Sequence, residues 1–534
     1  SFKNQRERSE RMRTIIFVIF VSLLVAFSHQ SCPDQDASLV NWSTQFGSAQ
    51  DVLIQSSQKI KLDTNVQLNT ITINGTLVFD DTKNINVTAK WIKVNPGGIL
   101  KIGSGDCPYT HKAIITFTGS YTTNNDMGSD PDGGGLGAKG LAVTSGGTLL
   151  VFGSYPSITW TRLSSIAQNG STTITVEDAV DWPVGSQIAI ASTDFSAAGD
   201  NGEVPDQSEQ NEIVSISGNT ITLKYPLSYM HWADKEGWER AEVGLLTRNI
   251  VFQGDSSSDQ GGFGGHLIFR KVNLVQVYGA EFYRMGQKGI LGRYPIHLHL
   301  MKDQVGKGFF ASYNSIHRSY QRCVAIHDGQ GLTVSHNVAF NTTGHCYFLE
   351  DGPEQVNHFE HNLGMRVNPG SLIPSDPQPA VYWSTNPNNT YINNVAVGGA
   401  FGYWFSLPMH PTGASEADYA SDLWVWPRYT PLALFDKNVG HSHSKSGLFV
   451  DNMLEPDGST PLAAYTPRQG HYNYSLPQSY SYPSVVASFT NFIGYKCREH
   501  GVWTRGGPIE IKDAILLDNT NAVTCVPGPS IVVD

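Results

Sequence analysis

Short runs of alternating polar and apolar residues recur along the chain, and Gly, Asn and Asp separate one run from the next. Thr70–Ile73, Thr76–Phe79 and 172–176 are examples, and all three are rich in β-branched residues. A period of two with β-branched side chains predicts β-strands joined by turns. Helical periodicity is almost absent, so the pattern predicts an all-β protein.

An internal repeat narrows the choice of all-β fold. Segment 314–329 matches segment 337–352 at a constant offset of 23 residues, and 335–338 recurs at 360–363 with an offset of 25. A period of this length, made of strands and turns, is typical of a leucine-rich repeat or of a right-handed parallel β-helix. The Leu-x-x-Leu-x-Leu skeleton is missing. The repeat therefore predicts a right-handed parallel β-helix over residues 246–530.

Stacked coils would place equivalent residues about 4.8 Å apart. Asn314 aligns with Asn337, and we expect repeated asparagines to hydrogen-bond to one another at a turn. Cys323 aligns with Cys346, at a separation that allows a disulfide, although two stacked buried thiols are the alternative.

The N-terminus has the pattern of a secretory signal peptide. Arg11 and Arg13 precede an apolar run over 14–27, and polar residues follow. We assign residues 1–30 to upstream residues and a signal peptide; a signal anchor is the alternative, but the run is short for a membrane span. The mature chain is then expected to be secreted or cell-surface associated, without a transmembrane segment.

In an oxidising compartment the six cysteines are expected to form disulfides rather than a metal framework. Asn-x-Ser/Thr sequons are expected to carry N-linked glycans there. The sequons stand at Asn41, Asn74, Asn86, Asn169, Asn341, Asn388 and Asn473.

The charge balance limits the choice of partner. The 534 residues include 36 Lys and Arg against 47 Asp and Glu, a formal net charge of −11. This balance argues against a nucleic-acid partner, which would require a basic surface. An acidic glycan would need a local basic groove.

Several longer segments carry a family resemblance. They are 181–185 (DWPVG), 190–194 (IASTD), 240–250 (RAEVGLLTRNI), 293–299 (RYPIHLH) and 344–354 (GHCYFLEDGPE). The chain resembles the secreted and cell-surface proteins that include the cell-migration-inducing hyaluronidase, the transmembrane cell-surface hyaluronidase and fibrocystin. The resemblance implies an eight-glycine β-domain over 38–165, a β-rich connecting region over 166–245 and the β-helix after it. It implies hyaluronidase activity for some members and a receptor role for others.

Histidines are concentrated between residues 297 and 361. His297 and His299 are two apart on a predicted strand, so both rings leave the same face. This arrangement suits a metal pair or an acid/base group, and it equally suits the polar face of an exposed strand.

The 23-residue register stacks three further pairs of polar residues on adjacent coils: His345 on Arg322, Glu350 on His327, and Asp351 on Asp328. Neighbouring carboxylates raise one pKa, as a general acid requires, or bind a divalent cation. An Asp-Gly pair also caps a turn, so a ladder of turn aspartates is the alternative.

We therefore expect an extracellular polysaccharide-active protein that hydrolyses internal bonds of hyaluronan or a similar uronic-acid glycan. The candidate catalytic residues are Asp351, Glu350, Asp328, His345, His297 and His299; the candidate substrate-binding residues are Arg293, Arg322 and His327. No cofactor is required by the sequence, but a divalent cation such as calcium would fit the carboxylates. A non-catalytic adhesion or glycan-binding protein, a polysaccharide lyase and a structural spacer remain the alternatives.

Overall fold

The structure is a computed structural model of the chain, and it describes residues 32–121, 126–130, 133–196, 206–234, 237–419, 425–452, 464–469, 482–526 and 531–533. The predicted signal peptide and the sequon at Asn473 lie outside these residues.

Three long parallel sheets form a β-helix, to which each full coil contributes one strand per sheet. Sheet 1 contains, in stacking order, Val40–Asn41, Lys59–Leu62, Thr76–Phe79, Ile99–Ile102, Thr148–Phe152, Leu274–Tyr278, Phe310–Ser312, Thr333–Ser335, His358–Glu360, Thr390–Ile392, Leu434–Asp436, Ala487–Thr490, Ile509–Lys512 and Ile531–Val533. Sheet 2 contains Val66–Gln67, Ile85–Ala89, Ala113–Phe117, Ile250–Gly254, Ala280–Tyr283, Ser315–His317, Val338–Thr343, Leu363–Asn368, Val395–Val397, Val439–His441, Ile493–Tyr495 and Ile515–Leu517. Sheet 3 contains Asp51–Ile54, Thr70–Ile73, Trp91–Val94, Gly140–Val143, His266–Arg270, Ile296–Asp303, Val324–Gln330, Tyr347–Leu349, Ala380–Ser384, Phe401–Phe405, Ser446–Val450, His500–Arg505 and Asn521–Val526. The prediction of an all-β parallel β-helix is therefore confirmed.

The coils on either side of residues 160–245 form one continuous stack. Ala113–Phe117 pairs in parallel with Ile250–Gly254, across more than 130 residues of sequence. The intervening residues leave the stack and form a separate sheet 4, whose strand pairs are antiparallel: Trp160–Arg162, Glu242–Leu245, Gln187–Ile190, Glu209–Ser217, Thr220–Leu223 and Thr173–Thr175. Sheet 4 packs against sheet 2 through apolar residues such as Val243 and Val338.

Helices are short throughout the described residues. The α-helices are Trp42–Gln45 and Glu416–Tyr419, and the 3₁₀ helices are Pro33–Gln35, Ser256–Gln260, Gly413–Ser415 and Pro427–Tyr429. No described helix has the length and apolar character needed to cross a membrane.

The predicted register holds in space. Val324 pairs with Tyr347 and Ala325 with Phe348, each at the 23-residue offset of the sequence repeat. Cys323 and Cys346, one residue before this pairing, form a disulfide with a Cα–Cα distance of 4.6 Å. The disulfide prediction is confirmed, and the alternative of two stacked thiols is excluded. A second disulfide joins Cys32 to Cys107, whereas Cys497 and Cys525 carry free thiols.

Asparagines stack along the turn between sheets 1 and 2, as the repeat predicts. Each Nδ2 atom donates to the Oδ1 atom of the next asparagine at 2.9–3.1 Å, through Asn314, Asn337, Asn362, Asn394 and Asn438. All five are fully buried. Since buried polar groups must be paired, this ladder satisfies amide groups that water cannot reach.

Candidate functional site

A cavity of about 710 Å³ lies against the outer face of sheet 3. Strands Ile296–Asp303 and Val324–Gln330 form its floor, and residues 291–294 and 406–414 contribute to its walls. Successive side chains of a strand point to opposite faces. Leu298 therefore packs in the interior of the β-helix, whereas His297 and His299 point into the cavity.

His327 joins this pair as a third histidine. It lies directly beside His299 on the neighbouring strand of sheet 3, and the Nδ1 atoms of the two rings are 2.9 Å apart. One ring nitrogen from each of His297, His299 and His327 lies within 4.8 Å of the others. The prediction that His297 and His299 share a face is borne out by this geometry. His327, which we assigned to substrate binding, belongs to the same cluster.

Hydrogen bonds outside the cluster orient two of the three rings. His297 Nδ1 donates to the carbonyl oxygen of Gly292 at 2.9 Å, so its Nε2 atom carries the lone pair. His327 Nε2 lies 3.0 Å from Asp351 Oδ2. The Ser415 backbone N–H and hydroxyl hold the two oxygens of Asp351, each at 2.9 Å. The outward-facing nitrogens are thus occupied, and the remaining nitrogens turn toward one another.

Burial and neighbouring charges shift the pKa values of the three rings in different directions. Burial lowers the pKa of His297 and of His299 well below the ordinary value, and the charges of neighbouring histidines lower it further. Burial also disfavours a charge on His327, but the hydrogen bond to Asp351 and the charge of Glu350 outweigh it and raise the pKa to about 9. His297 and His299 are therefore neutral at pH 7.

The two candidate acid/base carboxylates have different surroundings. The Glu350 Oε2 atom has no hydrogen-bond partner among the described residues, and it lies 3.9 Å from His297 Nε2 and 3.8 Å from His327 Nδ1. Burial raises the pKa of Glu350. Burial acts the same way on Asp351, but the hydrogen bond to His327 outweighs it and lowers the pKa. Glu350 is the better proton donor, and Asp351 is ionised and positions His327.

The structure does not bring His345 into the cavity, contrary to the sequence prediction. Its Nε2 atom bonds the Ser375 hydroxyl at 2.8 Å, and its Nδ1 atom accepts from the Ala380 backbone N–H at 2.9 Å. The ring is fully buried, with its centroid 4.2 Å from that of Trp383. With both nitrogens engaged, His345 supports the cavity wall and has no site for catalysis or metal binding.

Asp328 is a second correction. Its side chain is fully buried away from the cavity, in an ion pair with Lys302, and it accepts a hydrogen bond from the Tyr419 hydroxyl at 2.8 Å. Its positive backbone φ of +47° interrupts the alternation of side-chain directions along the strand. Asp328 therefore lies at an irregularity within the strand Val324–Gln330, where the pairing with Ile296–Asp303 shifts register, and its carboxylate stabilises the fold rather than the site.

Arg293 and Arg322 both line the cavity, as the substrate-binding prediction requires. Arg322 is fully buried, and its Nη1 atom donates to Asp376 at 2.5 Å. Its Nε and Nη2 atoms have no hydrogen-bond partner in the part of the chain that the structure describes. Arg293 donates from Nη2 to the Gly135 carbonyl oxygen at 3.1 Å. Two guanidinium groups thus line the cavity, and the charge of Arg322 is compensated by Asp376.

Aromatic side chains complete the wall. The Phe348 ring lies 4.1 Å from the guanidinium carbon of Arg322, and Trp383 lines the cavity beside it. The indole Nε1 atom of Trp383 is buried without a hydrogen-bond partner among the described residues. This combination of apolar surface and unpaired donors suits a sugar ring with its hydroxyl groups.

Sequence reasoning missed three supporting groups of this site. Gly292, Asp376 and Ser415 orient His297, Arg322 and Asp351 respectively. Gly292 and Asp376 lie in loops and Ser415 ends the 3₁₀ helix Gly413–Ser415, all in connections between strands outside the 23-residue repeat. The repeat therefore holds no signal for them.

The sequons differ in exposure. Asn41, Asn86 and Asn169 are exposed, and Asn74 and Asn341 are half-buried. Asn388 is 4% exposed, and its Nδ2 atom donates to Gln355 at 3.1 Å. A glycan at Asn388 is incompatible with this packing, so that prediction is corrected, while glycosylation at the other positions stays a prediction.

Comparison with known proteins finds two matching families. Residues 41–164 match the G8 domain, and residues 262–448 match the CEMIP beta-helix. Human fibrocystin-L is 32% identical over 88% of this chain and 11% of its own length. Human cell surface hyaluronidase CEMIP2 is 33% identical over 65% of this chain and 28% of its own length. Protein rliB of Dictyostelium discoideum is 31% identical over 82% of this chain and 40% of its own length.

The chain thus spans less than half the length of these three relatives. Among solved structures, the gp54 tailspike of Acinetobacter baumannii bacteriophage AP22 has 12% identity and a TM-score of 0.22 over 86% of this chain and 74% of its own. The two matched domains lie in one β-helix stack, in the same order as the sequence resemblance implies. The chain therefore contains a G8 domain followed by a CEMIP β-helix, and fibrocystin-L and CEMIP2 are among its homologues.

Proposed function

We propose that the chain is an extracellular polysaccharide-active enzyme that hydrolyses a uronic-acid glycan in the cavity on sheet 3. The observation that carries this proposal is the position of Glu350, whose unpartnered Oε2 atom lies beside His297 and His327 in a cavity that Arg322 also lines. The relative CEMIP2 is named a cell surface hyaluronidase, which points to the same chemistry. Two disulfides fit an oxidising compartment.

Hydrolysis of a glycosidic bond needs a proton for the leaving oxygen and a base that takes a proton from water. Glu350 is suited to donate the first proton because its carboxyl is buried. The attacking water gives up the second proton to solvent, because burial and the neighbouring rings leave His297 and His299 as weak bases. The C–O bond to the leaving sugar breaks as water adds to the anomeric carbon, so that one reducing end forms per cleavage.

Substrate selection would come from Arg322 and Trp383. A guanidinium with unpaired N–H groups can bind a uronate carboxylate with two parallel hydrogen bonds. The indole N–H of Trp383 can donate to a sugar hydroxyl. Neutral glycans would lose the contact to Arg322 and bind more weakly.

The test is size analysis of hyaluronan, chondroitin and the neutral glycan dextran after incubation with the secreted protein and with Glu350→Gln. We expect shortening of the uronic-acid glycans by the wild type and a rate about 10² to 10⁴ lower in the variant. Glu360→Gln, which alters a half-exposed carboxylate on sheet 1, is the matched control and should cleave normally.

The products distinguish the alternatives. A lyase would leave an unsaturated uronate that absorbs in the near ultraviolet, whereas hydrolysis leaves a saturated end. Binding of hyaluronan without shortening, equal in the wild type and Glu350→Gln, would reject hydrolysis and favour an adhesion protein.

A further inference from the structure

We infer that His297, His299 and His327 bind one divalent first-row transition-metal ion of the zinc class. The candidate ligand atoms lie within 4.8 Å of one another on two adjacent strands of sheet 3. Binding of the ion follows from these donor atoms alone, whereas any part it has in cleavage rests on the proposed function.

The distance between two of the three ligand atoms suits a common ion. Nitrogens that share one ion at about 2.0–2.1 Å lie roughly 2.9–3.4 Å apart, for angles between 90° and the tetrahedral value. The Nδ1 atoms of His299 and His327 are 2.9 Å apart. A hydrogen bond between these two rings would account for that pair alone. It would leave His297 Nε2 buried, without a hydrogen-bond partner among the residues described.

Two of the three rings have the outer contacts that metal-bound histidines need. A ligating ring usually donates its other N–H to a carbonyl or carboxylate, which fixes the tautomer with the lone pair on the metal side. Gly292 accepts from His297 Nδ1, and Asp351 is paired with His327 Nε2. The buried His345 provides a contrast, because both of its nitrogens are engaged by protein groups and none is left for an ion.

The donor set selects the class of ion. Calcium prefers six to eight oxygen ligands, whereas imidazole nitrogens favour zinc and its first-row neighbours. Asp351 is bound to His327 Nε2 on the outer side of the cluster, and the carboxylate of Glu350 lies 3.8–3.9 Å from the other nitrogen of His327 and from His297. Three protein ligands with the next position open to a cavity are typical of a catalytic zinc site. Calcium, our sequence-based suggestion, does not fit this set.

The test is metal binding by the whole secreted protein in the absence of any glycan. After chelation and dialysis, Zn²⁺ or Co²⁺ is added and the bound ion is counted by elemental analysis and titration calorimetry. We expect one ion per chain, a Co²⁺ spectrum typical of nitrogen ligands, and affinity at least about 100-fold lower in His299→Ala. His358→Ala removes a more exposed histidine on sheet 1 and should bind like the wild type.

Equal Co²⁺ affinity in the wild type and His299→Ala would overturn the inference, and so would a wild-type protein that binds Ca²⁺ but neither Zn²⁺ nor Co²⁺. If His299→Ala does not fold, the affinity of His297→Gln for Co²⁺ and the number of ions bound by the wild type take its place. A wild-type protein that retains no ion would reject the site. Metal binding without cleavage of any glycan would keep this inference and reject the proposed function. Cleavage that persists after complete metal removal would show that the ion has no catalytic part.

Discussion

His327 Nε2 lies 3.0 Å from Asp351 Oδ2, and this contact joins two adjacent coils of the β-helix at the floor of the cavity. The Asp351 carboxylate also accepts from the Ser415 backbone N–H and hydroxyl, so both of its oxygens are engaged. A carboxylate held in this way orients a histidine ring and stays ionised. Asp351 is therefore a residue that positions His327.

Asp351→Asn should therefore impair the site without abolishing it. Asparagine keeps the shape but removes the charge that raises the pKa of His327 to about 9. We expect Zn²⁺ or Co²⁺ affinity to fall about 10- to 100-fold and cleavage to fall less than in Glu350→Gln. Calorimetry and product sizing measure both effects.

The same variant separates positioning from acid/base catalysis through the pH dependence. If Asp351 acts only through His327, the variant lowers the rate and shifts the limb of the pH profile that belongs to His327 toward lower pH. Unchanged metal affinity and an unchanged profile would contradict the positioning role.

Arg322→Lys should weaken binding of uronic-acid glycans selectively. Lysine keeps the positive charge beside Asp376 but cannot offer the two parallel N–H groups that match a carboxylate. We expect KM for hyaluronan oligosaccharides to rise about tenfold, which corresponds to about 1.4 kcal/mol of binding free energy, with a smaller change in kcat. Arg366→Lys, a half-buried arginine that does not line the cavity, is the control. A loss of kcat with constant KM would argue against a role in substrate binding.

The repeat carried the prediction of the fold because coil stacking converts a constant offset in sequence into a constant neighbour in space. Cys323 and Cys346 show this directly, since the offset of 23 residues became a disulfide. His345 shows the limit. The register placed it correctly over Arg322, but Ser375 of the loop 369–379 and Ala380, the first residue of the next strand of sheet 3, bind its two nitrogens. Loops between coils obey no period, so the direction of a side chain next to them could not be inferred.

Asn362→Ala should destabilise the β-helix more than most single substitutions do. Asn362 accepts from Asn337 and donates to Asn394 and to the Val334 carbonyl oxygen, all in the dry interior. Each buried group left unpaired costs about 1–3 kcal/mol, so we expect a loss of at least about 2 kcal/mol in the free energy of unfolding. Denaturant unfolding measures this loss.

The control for that experiment is Asn521→Ala, because Asn521 is exposed and its amide donates only to the Glu499 carbonyl oxygen. We expect a change below about 0.5 kcal/mol there. Equal effects of the two substitutions would show that the asparagine ladder contributes no more than a surface hydrogen bond.

Glu242 connects sheet 4 to the β-helix, and its charge should make the attachment depend on pH. Its Oε2 atom lies 3.0 Å from His441 Nε2 on sheet 2, and its Oε1 atom accepts from Arg162 Nε at 3.1 Å. Burial alone would raise the pKa of Glu242, but the charges and hydrogen bonds of His441 and Arg162 outweigh burial and lower it from 4.5. The carboxyl is therefore ionised in the folded protein across the neutral range.

Glu242→Gln should accordingly destabilise the protein by about 3 kcal/mol at pH 7, because the fully buried His441 and the partly exposed Arg162 lose their shared carboxylate partner. The sign of the pH dependence follows from the lowered pKa. The stabilisation by Glu242 is fully present above the ordinary value of 4.5 and is lost as the pH falls through the lower folded value. The difference in unfolding free energy between wild type and variant should be constant above about pH 5 and shrink below pH 4.5.

Glu212→Gln, which breaks the more exposed pair with Lys224 on the same sheet, should change stability by less than about 1 kcal/mol. A wild-type advantage that instead grows on acidification would mean that Glu242 binds a proton more tightly in the folded chain, and that burial outweighs its two cationic partners.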